Sequence, residues 1–175
     1  GEIGAFKNGN GYNGAVHVYK FNGYQWIEHQ SILNPNTYDT TNQFFGFCIS
    51  LYDDTFIVGS YYAVDNNDEK TGAVYVYKYD ETNWIQTQVL TDELSWLDSQ
   101  MLNNSNYDKE LYGYNVSLHK DILVIVPKSY KLLYIYALEN DIWIKKYTIT
   151  NPNDLSYTFG SYVLICDNDF LIVTS

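Results

Sequence analysis

Arginine is absent from the 175-residue chain, and its ten basic residues, all lysines, are outnumbered by 21 acidic ones. The net charge of −11 leaves no basic surface of the kind that binds nucleic acid, so no nucleic-acid partner is expected. No run of about 18 apolar residues occurs, and this segment therefore contains no predicted membrane span. Because only three prolines are present, the turns must rely on residues that tolerate positive φ.

Cysteine is scarce too, with only Cys48 and Cys166, and both lie in strand-like runs. Two cysteines allow a single disulfide, but their positions in the sequence do not say whether they meet. Buried free thiols are the expected state, because unpaired cysteine is among the residues most often found buried.

Aromatic residues, in contrast, make up 18% of the chain, with 19 tyrosines and four tryptophans. Several of them belong to an internal repeat. The pattern Gly-Ala-Val-x-Val-Tyr-Lys, followed by Trp-Ile, begins at Gly14 and again at Gly72, and a degenerate version begins at Lys131. Its alternation with period two is typical of a β-strand. The repeated tryptophans are spaced 58 and 59 residues apart: Trp26, Trp84 and Trp143.

A second signature is interleaved with the first. An aromatic-Gly pair opens it, and an apolar strand, a tight polar turn and another apolar strand follow, the last ending near Gly59 in the clearest copy. The three aromatic-Gly pairs are Phe45-Gly46, Tyr112-Gly113 and Phe159-Gly160.

Together the two signatures give four short antiparallel strands per unit, which is typical of a β-propeller blade. We therefore predict an all-β fold of such blades, with repeat units at about 4–58, 59–125 and 126–173 and the opening residues 3–6 matching the end of the second signature. No segment has sustained helical periodicity, and the stretch 92–101 is the one candidate for a short helix or turn.

The repeated residues resemble the FG-GAP repeat family, which includes the head propeller of integrin α subunits. The resemblance covers nearly the whole chain, although the third unit is degenerate. It implies a non-catalytic recognition or adhesion module, extracellular or at the cell surface, whose partner is a protein or a glycan. The residues that carry it are Phe45, Gly46, Gly59, Gly72, Trp84, Tyr112, Gly113, Phe159 and Gly160.

Integrin-type repeats hold Ca²⁺ in a loop between their first and second strands, and here the chain departs from the family. The corresponding links, at Asp53-Asp54, Lys120-Asp121 and Asp167-Asn168, are too short to supply the six to eight oxygen ligands that Ca²⁺ takes. The oxygen-rich stretch 65–69 lacks the alternating spacing and is expected to be a solvated loop. No metal or other cofactor is therefore expected.

Catalytic motifs are missing as well. No nucleophile elbow and no Cys/His metal spacing occurs, and the three histidines align with unrelated residues in sister repeats. We therefore predict that the chain is not an enzyme. Two sequons are possible N-glycosylation sites: Asn103, in a polar loop where a glycan fits, and Asn115, in an inner strand where it would clash.

Three units cannot close a propeller, which typically needs four to eight blades. The chain supplies strands three and four of one blade, two complete blades, and strands one and two of another. Two interpretations follow: the chain is an excerpt of a longer protein, or its half-blades pair with other copies. The alternative functions are accordingly a structural subunit of a surface filament assembled head to tail, or a non-catalytic domain of a larger enzyme.

The repeat also predicts a core. Side chains that recur at strand spacing should be buried between sheets, and the repeated tryptophans are expected to pack between blades rather than to serve as sugar-stacking platforms. The residues predicted to be buried are Ile49, Leu51, Ile57, Val74 and Val76.

Overall fold

The structure, a computed structural model, describes residues 13–36, 43–64, 70–91, 111–128, 131–152, 159–166 and 170–174. These ranges contain β-strands and turns and no helix. The stretches 3–6, 65–69, 92–101 and 167–169, and the sequon at Asn103, lie outside the described residues.

Twelve strands are found in the described ranges. In chain order they are β1 (Ala15–Phe21), β2 (Trp26–Leu33), β3 (Cys48–Tyr52), β4 (Thr55–Ser60), β5 (Ala73–Tyr79), β6 (Trp84–Leu90), β7 (Asn115–His119), β8 (Ile122–Val126), β9 (Leu132–Glu139), β10 (Ile142–Thr150), β11 (Val163–Cys166) and β12 (Phe170–Val173).

The strands form four antiparallel sheets. Two sheets are complete four-stranded blades in which chain neighbours pair: blade 2, β3–β6, and blade 3, β7–β10. The other two are half-blades of two strands: blade 1, β1–β2, and blade 4, β11–β12. The prediction of an all-β fold built of propeller-type blades is confirmed.

Alternation along each strand decides which neighbour a side chain contacts. In β5, Val74 and Val76 join the core cluster shared with blade 3, whereas Tyr75 and Tyr77 join the cluster shared with blade 1. Strand β5 therefore contributes to a core on each face of blade 2, and each interface between consecutive blades is one layer of core. The predicted burial of Ile57, Val74 and Val76 is confirmed.

The predicted burial of Ile49 and Leu51 is wrong: 39% and 61% of their surfaces are exposed. Both side chains lie on the face of β3 directed toward blade 1, where the structure describes strands three and four but no strand one or two. The other face of β3, with Cys48 and Tyr52, packs against blade 3. The prediction that Ile49 and Leu51 lie in a strand was right. The prediction that they are buried was wrong because burial depends on the neighbouring blade.

The short links between first and second strands are two-residue hairpin turns in blades 2 and 3, with Tyr52 paired to Thr55 and His119 to Ile122. In blade 4, Cys166 pairs with Phe170, so three residues separate the strands. Because of this extra residue, the residues of β12 lie one position later, counted from the aromatic-Gly pair, than their equivalents in β4 and β8. Consequently Thr174, and not Val173, has the position of Gly59: its carbonyl accepts a hydrogen bond from Gly160, as that of Gly59 does from Gly46.

Candidate binding surface

The interfaces between blades are held at their outer edge by a repeated glutamine contact. The Gln30 side chain donates to the Trp84 carbonyl (3.1 Å) and accepts from the Trp84 N–H (2.8 Å). Gln88 makes the same pair of bonds with Trp143 of the following blade, at 3.1 and 2.9 Å. The repeated tryptophans thus offer their backbones to the preceding blade, and this contact fixes the outer strands relative to one another.

A repeated serine makes the corresponding contact at the inner strands. The Ser50 hydroxyl accepts a hydrogen bond from the Leu118 N–H (2.9 Å), and Ser117 accepts one from the Ile165 N–H (3.1 Å). Glutamine and serine contacts recur at equivalent positions, so they are part of the scaffold and not of a ligand site.

The family signature is likewise structural. Phe45, Tyr112 and Phe159 are buried, and the Tyr112 hydroxyl donates a hydrogen bond to the Tyr136 hydroxyl at 2.6 Å. The signature glycines all lie in buried backbone: Gly46, Gly59, Gly72, Gly113 and Gly160. At Gly72, φ is +76° and an added Cβ would stand 2.2 Å from the Tyr112 carbonyl oxygen. Glycine is therefore needed where strand three approaches the next blade.

The repeated tryptophans differ in their surroundings. Trp143 is buried in the core between blades 2 and 3, and half-buried Trp84 packs on Phe56 and Tyr79. Trp26 is exposed on the face of blade 1 that turns away from blade 2. Trp84 and Trp143 therefore pack between blades, whereas Trp26 does not pack against a neighbouring blade in the described part of this structure.

Cys48 and Cys166 are free and half-buried, in agreement with the expectation of unpaired thiols. The Cys48 thiol donates to the Gly113 carbonyl at 3.3 Å, and burial raises its pKa to about 12. A thiol with such a pKa stays protonated near neutral pH and is a poor nucleophile.

The Asn115 sequon is engaged inside the fold. The Asn115 amide group donates to the Ser161 carbonyl at 2.9 Å, and its side-chain oxygen accepts from the Val116 N–H at 2.8 Å. A glycan on this nitrogen would have to break the contact between blades 3 and 4. Use of either sequon stays a prediction.

The feature that does point to binding is a group of aromatic rings at one end of blades 2 and 3, where first strands begin and second strands end. We call it the aromatic–lysine cluster: Phe44, Phe47, Tyr61, Tyr62, Tyr114, Lys70 and Lys128. Antiparallel pairing brings these loop residues together, because a strand one that begins at this end returns to it as strand two.

The rings of the cluster form a continuous set. Tyr61 is its centre, with ring centroids 4.5 Å from those of Phe47 and Tyr62, 5.2 Å from Phe44 and 5.3 Å from Tyr114. Burial raises the pKa of Tyr61, with a smaller contribution from its tyrosine neighbours. Tyr61 is thus the buried support on which the other four, half-buried rings rest.

Two lysines add positive charge to these rings. The Lys128 ammonium lies 5.5 Å from the Tyr61 ring centre and 5.4 Å from that of Tyr62, and Lys70 lies 4.9 Å from the Tyr62 ring centre. Such distances are those of cation–π contacts. Two ammonium groups therefore lie beside one ring, that of Tyr62.

Sequence reasoning missed this cluster, because its residues flank the repeat signatures instead of belonging to them. The one available signal is the pair Tyr61-Tyr62 directly after a strand. Lys128 contributes from the next blade, a contact that only the packing of blades creates.

A groove lies at the opposite end of the same two blades. Its volume is about 300 Å³, with the ion pair between Lys78 and Asp141 (3.2 Å) at its rim. Its other lining residues are Thr55, Val76, Thr87, Leu138 and Trp143. Within the described ranges no cluster of metal-ligating side chains occurs, and no helix there could cross a membrane.

Comparison with known protein families matches residues 35–77 to the FG-GAP repeat. The matched segment contains Phe45-Gly46, the first two strands of blade 2, Gly72 and most of the third strand. A search among curated proteins finds no match for the chain. With this match in one unit and the same strand pattern repeated along the fold, residues 35–77 are an FG-GAP repeat within a series of similar units.

Proposed function

We propose that this chain is a non-catalytic recognition or adhesion module, extracellular or at the cell surface, and that the aromatic–lysine cluster contacts its ligand. FG-GAP repeats build propeller-type modules, and a module of this kind binds through loops at the ends of its blades. The observation that carries the proposal is the convergence of five aromatic rings and two lysines at one such end.

The chemistry of the cluster fits an acidic sugar. Half-buried rings offer apolar faces for stacking against a pyranose, while tyrosine hydroxyls provide hydrogen bonds. Lys70 and Lys128 can pair with a carboxylate. The rest of the acidic surface repels anions, so binding would be confined to this site.

The test is binding of the purified chain to an array of immobilised neutral and uronate- or sialate-containing glycans, with acidic peptides as a second arm. Tyr62→Ala and Lys128→Gln should each weaken binding to acidic glycans at least tenfold, about 1.4 kcal/mol. Matched controls are Tyr24→Ala, an exposed tyrosine outside the cluster, and Lys145→Gln, whose ammonium also lies over a tyrosine ring.

Equal binding by the cluster variants and the wild type would contradict the proposal, as would a chain that binds nothing on the array. Preference for acidic peptides, with the same loss in the two variants, would keep the site and change the class of ligand. Melting temperatures of all variants establish that each one is folded.

A second candidate function, a structural subunit assembled head to tail, rests on a different observation. β1–β2 are strands three and four of a blade and β11–β12 are strands one and two, so the two half-blades are complementary. Such an association would be heterologous and would give a ring or a filament.

A further inference from the structure

The outer hairpins of blades 1, 2 and 3 each have a bulge at the same place. The register of β1–β2 shifts after Val18, and that of β5–β6 shifts after Val76. The extra residue of the bulge is His29 in blade 1 and Thr87 in blade 2. A bulge redirects the side chain that it contains, and both of these side chains lie at the interface with the following blade.

Between blades 1 and 2, aromatic rings fill the space beside the bulge. The centroid of the Tyr79 ring lies 5.9 Å from that of His29 and 5.2 Å from that of Trp84. The Lys20 ammonium lies 6.0 Å from the centre of the Tyr79 ring, at the outer limit of a cation–π contact. Tyr79 is therefore packed by one residue of its own blade and two of the preceding blade.

Between blades 2 and 3, the equivalent positions line the groove described above. The lysine and the tryptophan recur there as Lys78 and Trp143, at repeat spacings of 58 and 59 residues. The other two rings do not recur, because Thr87 has the position of the histidine and Leu138 has that of the tyrosine. The groove of about 300 Å³ is thus the space that two aromatic rings fill one interface earlier.

The walls of the groove suit an aromatic ring that carries one polar group. Leu138 and Trp143 give it apolar surface. At its rim the Lys78 ammonium and the Asp141 carboxylate are 3.2 Å apart, with 45% and 82% of their side-chain surfaces exposed. The ammonium is complementary in charge to the negative face of a ring, and the carboxylate can accept a hydrogen bond from a phenol hydroxyl. The groove therefore offers a ring from another molecule the kinds of contact that Tyr79 has.

The size of the groove points to a single side chain of a partner. A volume of about 300 Å³ is at the lower limit of small-molecule sites, so the groove admits one ring and leaves the rest of a ligand outside. A lone aromatic side chain held in a pocket is a common anchor of protein–protein recognition, and tyrosine is among the residues enriched in that role.

We propose that the groove between blades 2 and 3 binds a tyrosine side chain of a partner polypeptide, with its ring against Trp143 and beneath the Lys78 ammonium. The groove lies at the opposite end of these blades from the aromatic–lysine cluster. It is therefore a second contact surface, and it goes beyond the proposed glycan site without depending on it.

The first measurement uses N-acetyl-tyrosinamide as the probe, titrated into the isotopically labelled 175-residue chain and followed by NMR. We expect saturable shift changes at the groove residues, including the indole N–H of Trp143. N-acetyl-leucinamide, which has neither a ring nor a hydroxyl, should bind at least tenfold more weakly.

A variant that fills the groove from within the chain provides the second measurement. Leu138→Tyr places a ring where Tyr79 has one in the preceding blade, so it should weaken binding of the probe at least tenfold. Its melting temperature should stay at or above that of the wild type, because the added ring buries apolar surface. Ile144→Tyr adds the same ring at an exposed position of β10, next to Trp143 in sequence and on the other face of the strand, and should leave binding unchanged.

The reverse exchange tests whether the ring positions determine binding. Tyr79→Leu combined with His29→Thr gives the interface between blades 1 and 2 the residues of the groove, while Lys20 and Trp84 remain in place. The double variant should acquire a second site for the probe, seen as new shift changes at the Trp84 indole. A folded double variant that titrates like the wild type would overturn the proposal.

Three further outcomes would overturn the proposal. The first is a titration without saturable shift changes in the groove up to the solubility limit of the probe, and the second is binding that Leu138→Tyr leaves unchanged. The third is tighter binding of N-acetyl-leucinamide or N-acetyl-histidinamide, which would assign the groove to another side chain. Shift changes confined to the aromatic–lysine cluster belong to the first outcome, and they would leave the glycan-binding proposal standing.

Discussion

The interface between blades 2 and 3 keeps more of the repeated contacts between blades than the interface between blades 3 and 4. The first has the serine contact at the inner strands, the close approach of Gly72 to Tyr112, and the glutamine contact at the outer strands. The second keeps the serine contact of Ser117, while Lys131 and Tyr147 stand at the glycine and glutamine positions.

This difference shows that the repeat is maintained unevenly across a blade. The inner contacts recur wherever inner strands meet, including the degenerate third unit. The outer contacts recur only where both outer strands are within the described chain. The blade 2–blade 3 interface should therefore be the more stable of the two, and substitutions there should have the larger effects.

Gly72→Ala should have the largest effect. A Cβ at this position would stand 2.2 Å from the Tyr112 carbonyl oxygen, and the positive φ alone costs about 1–2 kcal/mol. The backbone clash adds to this, so we expect a loss of at least about 3 kcal/mol in the free energy of unfolding, measured by denaturant titration. Gly23→Ala has positive φ but no atom within 4 Å of the added Cβ, and it should show only the smaller conformational cost.

Leu90→Ala should come next, with a loss of about 2–4 kcal/mol, because it leaves a cavity in the core between blades 2 and 3. Ile149→Ala, at the equivalent position of blade 3, should cost less than about 1 kcal/mol in the monomer. Equal losses of stability for the two variants in dilute solution would show that Ile149 is covered within one chain. That result would contradict the difference in burial between Leu90 and Ile149.

Gln88→Ala should cost about 1–2 kcal/mol, because the Trp143 N–H and carbonyl both lose their partner. Gln25→Ala, an exposed glutamine of the β1–β2 turn, should be close to neutral. Thermal unfolding of the two variants and the wild type measures the difference. An unchanged melting temperature in Gln88→Ala would mean that water replaces the side chain without loss.

The smallest effect concerns the ion pair between Lys78 and Asp141, which also joins blades 2 and 3. The hydrogen bond that the Lys78 ammonium donates to the Asp141 carboxylate, together with the charge of that carboxylate, raises the pKa of Lys78 above its ordinary value of 10.5. The stabilisation is therefore fully present below the unfolded-state pKa and is lost as pH rises through the folded-state pKa.

Because the pair is exposed, Lys78→Gln should lower stability at pH 7 by only a few tenths of a kcal/mol, and less in high salt. The difference in melting temperature between the variant and the wild type should shrink as pH rises beyond 10.5. A difference that persists at still higher pH would assign the effect to packing of the lysine stem instead of its charge.

The sequence was a good guide to strands and a partial one to burial. The period-two pattern at 72–78 and the polar turns predicted β3–β6 and their order, because those features act within a few residues. It placed Ile49 and Leu51 in the core because they recur with Val116 and Leu118, yet burial depends on whether a neighbouring blade covers the position. Spacing from the aromatic-Gly pair does not give the register of β12, because an extra residue in a turn leaves no mark on the apolar pattern.

The candidate site was beyond sequence reasoning for a related reason. Tyr61, Phe47 and Lys128 come from three different loops of two blades, and no spacing rule relates them.

Taken by itself, the sequence determined the repeat, the all-β blades, the acidic composition and the resemblance to the FG-GAP repeat, because alternation, turn residues and composition are local properties. The tertiary structure decided which face of each blade is covered, that Gln88 and Ser50 hold blades together, and that aromatic rings and lysines meet at one end. The contacts between blades join residues about 50 or more positions apart, where only the packing of one sheet on another sets the distance.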